Sequence, residues 1–112
     1  MTSSVPSGRP PELDRLLSDP TRLAIMSVLC ATQWCDFGFL RDAVTLSDSA
    51  LSKQLTTLKT DGKIEQRRTY LGRVPKTTVQ ATDEGRQQFL RHVQALRQIV
   101  EQAPVPQQRD DP

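Results

Sequence analysis

One segment in the middle of the chain restricts the fold more than any other. Three leucines recur there at helical spacing: Leu51, Leu55 and Leu58. This pattern predicts an amphipathic helix over Asp48–Thr60. Ser47 is a good N-cap, because its hydroxyl can accept a hydrogen bond from a free backbone N–H. Asp61-Gly62 ends the helix, since glycine takes the left-handed conformation that is common after a last turn.

Similar start and stop signals divide the rest of the chain. Asp19 can cap a helix whose first position suits Pro20, where the missing N–H costs nothing. The other predicted elements, in chain order, are a short helical segment around Leu13, Leu16 and Leu17, helices over Pro20–Ala31 and Phe37–Val44, strands over Lys63–Tyr70 and Lys76–Ala81 after the central helix, and a last helix that Thr82 caps and that runs to about Gln102. The predicted fold is therefore mainly α with a two-stranded β hairpin, in the order α-α-α-α-β-β-α.

Length and composition indicate a single domain. A chain of 112 residues with 4% aromatic residues has one modest, aliphatic core. Six of the eight prolines lie in residues 1–11 and 103–112, which are predicted to be disordered tails around a domain of residues 12–102. No apolar run approaches the roughly 20 residues that span a bilayer, and residues 1–11 do not resemble a secretory signal. A cytoplasmic protein with no membrane partner is expected.

Positive charge is concentrated in one part of the chain. The formal net charge is only +2, but residues 53–86 carry eight basic side chains against four acidic ones. A local basic block in an otherwise nearly neutral domain is typical of proteins that bind a polyanion. A solvated face with uneven charge is the alternative.

The central helix has a polar outer face that suits nucleic acid. Hydroxyl, amide and amine side chains of this kind can reach base edges or phosphates in a major groove, and glutamine can pair bidentately with adenine. The candidate DNA-binding residues here are Ser47, Ser49, Ser52, Lys53, Gln54, Thr56 and Thr57. An ordinary amphipathic surface helix would show a similar pattern.

The predicted hairpin adds a second set of candidate DNA contacts. Four basic residues lie within ten positions, with no acid among them: Arg67, Arg68, Arg73 and Lys76. Such a hairpin can lie along the DNA backbone or insert an arginine into a narrow minor groove. An exposed hairpin that is charged for solubility alone is the competing interpretation.

The last helix carries apolar residues spaced by four, three and four positions: Phe89, Val93, Leu96 and Val100. This spacing is typical of a coiled-coil seam, so a homodimer is predicted. Leu13, Leu16 and Leu17 are expected to join the same interface, while Leu90 and Ile99 are expected to turn toward the core of the chain itself. The alternative is that the whole stripe packs within one monomer.

These segments together resemble a known group of regulators. Ser47–Ile64 is similar to the recognition helix of MarR- and ArsR-type winged helix-turn-helix proteins, and Leu71–Lys76 with Ala81–Arg86 is similar to their wing and last helix. Asp19–Leu23 resembles the helix opening of the ArsR type. The resemblance covers about Leu13–Val100. It implies a winged helix-turn-helix homodimer that represses transcription on an inverted-repeat operator, often until a ligand, metal or oxidant releases it.

The chain departs from these families at the sensing step. Cys30 and Cys35 are the only cysteines and His92 the only histidine, so two thiols cannot complete a tetrahedral zinc site. Reduced thiols are expected, with redox or metal sensing as alternatives; no metal and no cofactor are predicted. The long helices that build a drug-binding cleft are lacking, so a small-molecule effector is unsupported.

Enzymatic activity is not expected. The chain offers no phosphate-binding glycine loop, no cluster of metal ligands and no combination of residues for a catalytic site. A winged helix used for contact with another protein is the alternative function. The polar outer face of the central helix favours nucleic acid, because a protein interface is typically enriched in aromatic anchors.

Overall fold

The computed structural model describes residues 12–102 of the chain. The predicted tails, residues 1–11 and 103–112, lie outside the described residues. A single 3₁₀ turn at Leu16–Ser18 comes first, and the other elements follow in the order α1 (Pro20–Cys30), β1 (Cys35–Asp36), α2 (Phe37–Ala43), α3 (Asp48–Thr60), β2 (Ile64–Leu71), β3 (Val74–Ala81) and α4 (Asp83–Gln102). The predicted fold class, helices with a β hairpin before the last helix, is confirmed.

Each α-helix in the described part of the chain begins at a side-chain cap. Asp19 accepts a hydrogen bond from the Arg22 N–H at the start of α1, where Pro20 is the first helical residue. The other three caps are Asp36 for α2, Ser47 for α3 and Thr82 for α4. Each cap satisfies one backbone donor that the first helical turn leaves free. All of the caps except Asp36 agree with the sequence-based prediction.

A short strand that the sequence did not predict completes the sheet. The strand order is β1-β3-β2, with all neighbours antiparallel. In β1, Cys35 pairs with Val79 and Asp36 with Thr78. A strand of two residues has no periodicity of its own, so only its pairing partner defines it. The strand β2 lies one residue later than predicted and β3 begins two residues earlier, so only Gly72 and Arg73 remain in the turn.

The core lies between the helices and one face of the sheet. Its fully buried members include the three leucines of α3, together with Ile25, Met26 and Leu29 of α1 and Val79 of β3. Leu17, which the sequence placed at a dimer interface, is fully buried in this core. That prediction is wrong for Leu17, because the 3₁₀ turn directs its side chain inward, where no partner can reach it.

The last helix packs on the core through a different face than predicted. Its buried residues are Gly85, His92 and Ala95. Leu90 is 59% exposed and Ile99 is 41% exposed, so the expectation that they turn toward the core is wrong. None of the helices within residues 12–102 is long and apolar enough to cross a membrane.

A buried ammonium group lies where α3, the hairpin and α4 meet. Lys63 is 1% exposed, and its Nζ lies 2.9 Å from Asp14 Oδ2 and also pairs with Asp61. Burial alone would lower the pKa of Lys63, but the hydrogen bonds to Asp61 and Asp14 hold it above its usual value. Lys63 was counted in the basic block of the sequence, and the structure removes it from any surface that could bind a polyanion.

Asp14 connects the segment before α1 to this ammonium group. Its Oδ1 accepts hydrogen bonds from the N–H groups of Leu16 and Leu17, and its own N–H donates to His92 Nδ1 at 2.9 Å. Partial burial would raise the pKa of Asp14, but the Lys63 ammonium and the two N–H donors hold it below its usual value. Asp14 therefore fixes the 3₁₀ turn against α4.

We expect Asp14→Asn to lower the free energy of unfolding by about 1–3 kcal/mol at pH 7, because the amide keeps the N–H contacts but loses the ion pair with a buried cation. A carboxylate with a lowered pKa stabilises the fold above its usual pKa of 3.8, and this contribution is lost as the pH falls below that value. Lys63 has a raised pKa, so its contribution to the stability of the fold persists up to about pH 10.5 and is lost as the pH rises further.

Urea unfolding of the parent and of Asp14→Asn between pH 3 and pH 9 measures the difference between their free energies of unfolding. The stabilities of parent and variant should converge at the acid end of the series. Asp61→Asn is the matched control, and it should cost less because Asp61 is more exposed than Asp14. Equal stability of Asp14→Asn and parent at pH 7 would show that the ion pair contributes nothing.

Candidate nucleic-acid interface

The outer face of α3 is polar and exposed, as the sequence predicted. Its three leucines are fully buried, and the residues that lie away from them are exposed: Ser49, Ser52, Lys53, Thr56, Lys59 and Thr60. A helix that packs through one leucine face and leaves hydroxyls and amines in solvent can present them to a major groove about 12 Å wide.

The hydroxyls of α3 are held by the backbone of the helix itself. Thr56 donates to the Ser52 carbonyl at 3.0 Å, and Thr57 donates to the Lys53 carbonyl at 3.3 Å. Both oxygens keep lone pairs and can still accept a hydrogen bond. Ser47 accepts from the Ala50 N–H as the cap of α3, with its oxygen 3.4 Å from Ser49 Oγ. Ser47 therefore lies at the positive end of the helix dipole, where an anion is favoured.

Gln54 differs from the other candidates on α3. It is half-buried, and its Oε1 accepts a hydrogen bond of 3.0 Å from Arg22 Nη1 on α1. Arg22 also donates through Nε to the Leu16 carbonyl. Gln54 is thus directed along the flank of α3 toward α1, and its carbonyl is already engaged. This arrangement does not leave the side chain free for the bidentate pairing with adenine that the sequence predicted.

The turn between α2 and α3 is held by an arginine that sequence reasoning missed. Arg41 contacts Asp42 at 2.9 Å and Asp48 at 2.8 Å. The hydrogen bonds that Arg41 donates to the carboxylates of Asp42 and Asp48 raise the pKa of its guanidinium above the usual value. No local pattern predicts this pair, because Arg41 and Asp48 lie on different helices. The ion pair neutralises Asp48, an acidic side chain in the first turn of α3. The rest of the outer face of α3 is neutral or basic.

The basic residues of the hairpin lie on two opposite faces. Arg68 and Gln66 lie on the face that looks toward α3, where they line a cleft of about 580 Å³ together with Ser52. Arg67 lies on the opposite face, and its guanidinium carbon is 4.0 Å from the ring centroid of Trp34. A guanidinium over an indole ring is held by a cation–π interaction. Arg68 therefore shares a surface with α3, and Arg67 does not.

The remaining basic residues fall into free and engaged groups. Arg73 is exposed in the hairpin turn. Lys76 Nζ lies 3.4 Å from Asp36 Oδ1, and both side chains are partly exposed, so solvent weakens this pair. Arg86 donates to the carbonyls of Cys30 and Thr32 at 2.8 and 3.0 Å. Lys63 and Arg86 thus stabilise the fold. The other basic residues of this part of the chain lie on α3 and the hairpin, and they form its basic surface.

The two cysteines are free thiols inside the domain. Cys35 is buried in β1 and Cys30 is half-buried at the end of α1. Burial raises the pKa of both thiols; the Arg86 charge opposes this at Cys30, whereas the Asp36 carboxylate adds to it at Cys35. Neither thiol is activated by this environment. Within residues 12–102 no group of three or more His, Cys, Asp or Glu side chains could hold a metal ion.

A second candidate surface is an apolar stripe on α4. It consists of partly buried Phe89, Val93 and Leu96 and exposed Val100. Leu13 is 42% exposed and Leu16 is half-buried. The residues assigned to a dimer interface from sequence, with the exception of Leu17, keep at least part of their surface available for a partner.

The sequence of this chain is similar to a known family of domains and to a protein from another organism. Residues 21–100 match the family model described as a winged helix DNA-binding domain. An uncharacterised protein from Methanocaldococcus jannaschii is 27% identical over 86 residues, which are 76% of this chain and 92% of that protein.

The fold is also similar to solved structures. A transcriptional regulator homologue from Pyrococcus horikoshii superposes with a TM-score of 0.74 at 24% identity, covering 79% of this chain and 87% of that one. Staphylococcus aureus MepR, solved as a DNA complex, gives a TM-score of 0.66 at 16% identity, covering 80% of this chain and 75% of that one. At these identities the structures establish a shared fold.

The placement of Arg68 and Arg67 on opposite faces predicts different effects on binding to double-stranded DNA. Arg68→Gln should weaken binding to all sequences about equally and reduce the slope of log affinity against log salt by about one unit, because one phosphate contact is lost. Arg67→Gln is the matched control and should change the slope less, since Arg67 lies over Trp34. Fluorescence anisotropy titrations at several salt concentrations measure both slopes. Equal slopes for Arg68→Gln and parent would place the polyanion contact elsewhere.

Proposed function

The chain belongs to the winged helix DNA-binding domain family, and from this premise we propose that it is a transcriptional regulator that binds a specific double-stranded DNA site. The observation that carries the proposal is the shared surface of α3 and the hairpin. Buried leucines hold α3 so that Ser49, Ser52 and Lys53 face solvent, and Arg68 lies across the adjoining cleft. The family and the fold are those of transcriptional regulators and not of enzymes.

In the proposed complex, α3 is the recognition helix and lies in the major groove. Residues near the N-terminus of such a helix contact base edges. Ser49, Ser52 and Lys53 occupy that part of α3, and Ser47 caps it where a phosphate is favoured. Thr56 and Thr57 then serve as acceptors or backbone contacts. Gln54 supports α3 from the side of α1.

The hairpin is the proposed wing. Arg68, Arg73 and Lys76 contact the phosphate backbone or the minor groove beside the site that α3 occupies. The ion pair between Lys76 and Asp36 is exposed and weak, so a phosphate can replace Asp36 as the partner of Lys76. Arg67 contributes mainly to the long-range positive potential of the wing.

We propose further that the protein acts as a homodimer and represses transcription. The apolar stripe on α4 offers Phe89, Val93, Leu96 and Val100 to a second copy, with Leu13 and Leu16 at its side. A two-fold dimer would present its two α3 helices to successive major grooves about 34 Å apart, so the operator should be an inverted repeat. The resemblance to MarR- and ArsR-type regulators supports repression, in which the bound dimer blocks access to the promoter.

A protein-binding winged helix is the competing function. Such a module would present aromatic anchors on its binding face. The outer face of α3 consists of hydroxyl and amine side chains, and this favours DNA.

The domain that carries the function is proposed to span residues 12–102.

Substitutions on α3 test the proposed recognition. Lys53→Ala and Ser52→Ala should each cost about 1–3 kcal/mol in specific binding and relax sequence preference, because each removes a base contact. Lys59→Ala is the matched control for charge. It lies in the last turn of α3, so it should weaken binding to all sequences equally. Gel-shift titrations on a selected operator and on unrelated DNA measure the ratio. An unchanged ratio in both Lys53→Ala and Ser52→Ala would show that α3 does not read the sequence.

Charges on α4 test the proposed dimer. Val93→Glu with Leu96→Glu should give a folded monomer with strongly reduced operator affinity, since two carboxylates per copy would have to be buried in the interface. Gln94→Glu with Gln98→Glu adds the same charge at exposed positions of the same helix and should leave the dimer intact. Light scattering gives the mass of each protein. A parent protein that is monomeric at micromolar concentration, or an operator with a single half-site, would contradict the dimer.

A further inference from the structure

One acidic residue lies on the otherwise neutral or basic outer face of α3. Asp48 is the only acidic residue of this helix, and its side chain is 71% exposed. It lines the cleft between α3 and the hairpin together with Ser52 and Arg68. A carboxylate at this place is repelled by the phosphates of a bound duplex. Neither the buried face of α3 nor the phosphate contacts of the hairpin account for an acid here.

Asp48 lies on the same side of α3 as one of the proposed base contacts. Asp48 and Ser52 are four residues apart, so they are neighbours on one face of the helix, about one turn apart. Asp48 is also the first residue of α3. Residues near the N-terminus of a recognition helix are the ones that reach base edges. The carboxylate is therefore placed where α3 meets the bases in the proposed complex.

An arginine on α2 orients this carboxylate. Arg41 donates through Nη1 to Asp48 Oδ1 at 2.8 Å, and its Nε donates to Asp42 at 2.9 Å. A carboxylate has two oxygens and about four positions that accept hydrogen bonds, so Asp48 can accept a further bond while Arg41 holds it. The positive charge of Arg41 also reduces the repulsion between Asp48 and phosphates. The contact thus provides an oriented hydrogen-bond acceptor at the cleft.

The major groove offers few donors to such an acceptor. An ionised carboxylate only accepts hydrogen bonds, and the donors on the base edges in this groove are the N4 amino group of cytosine and the N6 amino group of adenine. Guanine and thymine present acceptor atoms, which repel a carboxylate. Adenine presents its amino group beside the N7 acceptor, whereas cytosine presents its amino group without an adjacent acceptor. Cytosine is therefore the base that best fits Asp48.

We propose that Asp48 is a specificity-determining residue: its carboxylate accepts a hydrogen bond from the N4 amino group of one cytosine in the DNA site, and Arg41 is the positioning residue that orients it. This proposal rests on the proposed function and adds a residue outside the proposed set of contacts, together with the base that it reads. It also gives the ion pair between α2 and α3 a role in recognition.

Substitutions at Asp48 change the base that this position can read. Asp48→Asn keeps the shape of the side chain but adds an amide donor, and asparagine pairs bidentately with the N6 and N7 atoms of adenine. Asp48→Ala removes the polar group altogether. Asp42→Asn is the matched control, because Asp42 pairs with the same arginine and is 73% exposed but lies on α2.

The measurement compares base preferences position by position. Selection from a pool of random duplexes gives the preferred site of the parent protein. Anisotropy titrations on duplexes that carry each of the four base pairs at each position of that site then give the preferences of parent and variants. Urea unfolding of the same proteins gives their stabilities.

The parent should prefer cytosine at one position of the selected site by about tenfold over guanine or thymine. Asp48→Asn should shift the preference at this position to adenine, and Asp48→Ala should abolish it, while the other positions keep their preferences. Asp42→Asn should show the preferences of the parent. Arg41→Gln should weaken the preference for cytosine, and Arg41→Lys should restore part of it, because an ammonium group also donates to a carboxylate.

Three results would overturn the role of Asp48 while the proposed function stands. In the first, Asp48→Asn and Asp48→Ala keep the preference of the parent at every position. In the second, Asp48→Ala binds all sequences more tightly by the same factor, so the carboxylate acts only by repelling phosphates. In the third, Asp48→Ala lowers the stability but changes no preference, so Asp48 serves only the start of α3. A parent protein that selects no sequence would overturn the proposed function together with this proposal.

Discussion

The fold depends on how one buried cation is accommodated. Lys63 lies between α3 and β2, directly before β2, and its ammonium group is neutralised by Asp14 and Asp61. Its backbone is just as constrained: its N–H donates to the Leu58 carbonyl, and its carbonyl accepts from the Thr82 N–H, both at 3.0 Å. A cation this deeply buried is strongly destabilising unless it is paired. The segment before α1, the end of α3 and the start of α4 must therefore meet at this point.

Backbone contacts hold the helix ends around Lys63 close together. Gly62 has a φ of 81°. Its N–H donates to the Lys59 carbonyl, and the Lys63 N–H donates to the Leu58 carbonyl. These two hydrogen bonds form a Schellman motif at the end of α3. A Cβ on Gly85 would lie 2.1 Å from the Lys63 carbonyl oxygen. Only glycine allows α4 to approach the chain this closely. The orientation of the hairpin relative to α3 is thus defined by backbone contacts and not by flexible side chains.

Local signals explain which parts of the fold could be predicted from the sequence. Helix α3 lies over Asp48–Thr60 as predicted, because its cap, leucine spacing and terminal glycine all lie within the segment. The strand β1 and the burial of Leu17 depend on distant partners, Val79 for β1 and the core for Leu17. Periodicity in a single sequence contains no information about such partners. The predicted roles of Leu90 and Ile99 failed for the same reason.

The candidate site shows the same division between local and distant information. The exposed face of α3 follows from helical geometry alone, so the amino-acid pattern is sufficient to identify Ser49, Ser52 and Lys53. Charge counting could not separate Lys63 and Arg86, which stabilise the fold, from Arg68, which faces the cleft. The engagement of Gln54 by Arg22 also joins residues 32 positions apart. Residue type suggests which side chains could bind DNA, whereas tertiary contacts decide which of them remain available.

The position of α4 links the two proposed surfaces. This helix carries the apolar stripe on one side, and its first turn contacts Lys63 directly through Gly85. A second copy that packs on the stripe would therefore be connected to α3 and the hairpin through backbone contacts, with no flexible linker between them. The separation of the two recognition helices in such a dimer would then be set by the crossing geometry of the two α4 helices. Half-site spacing is in this sense a property of α4 packing, and base preference within each half-site is a property of α3.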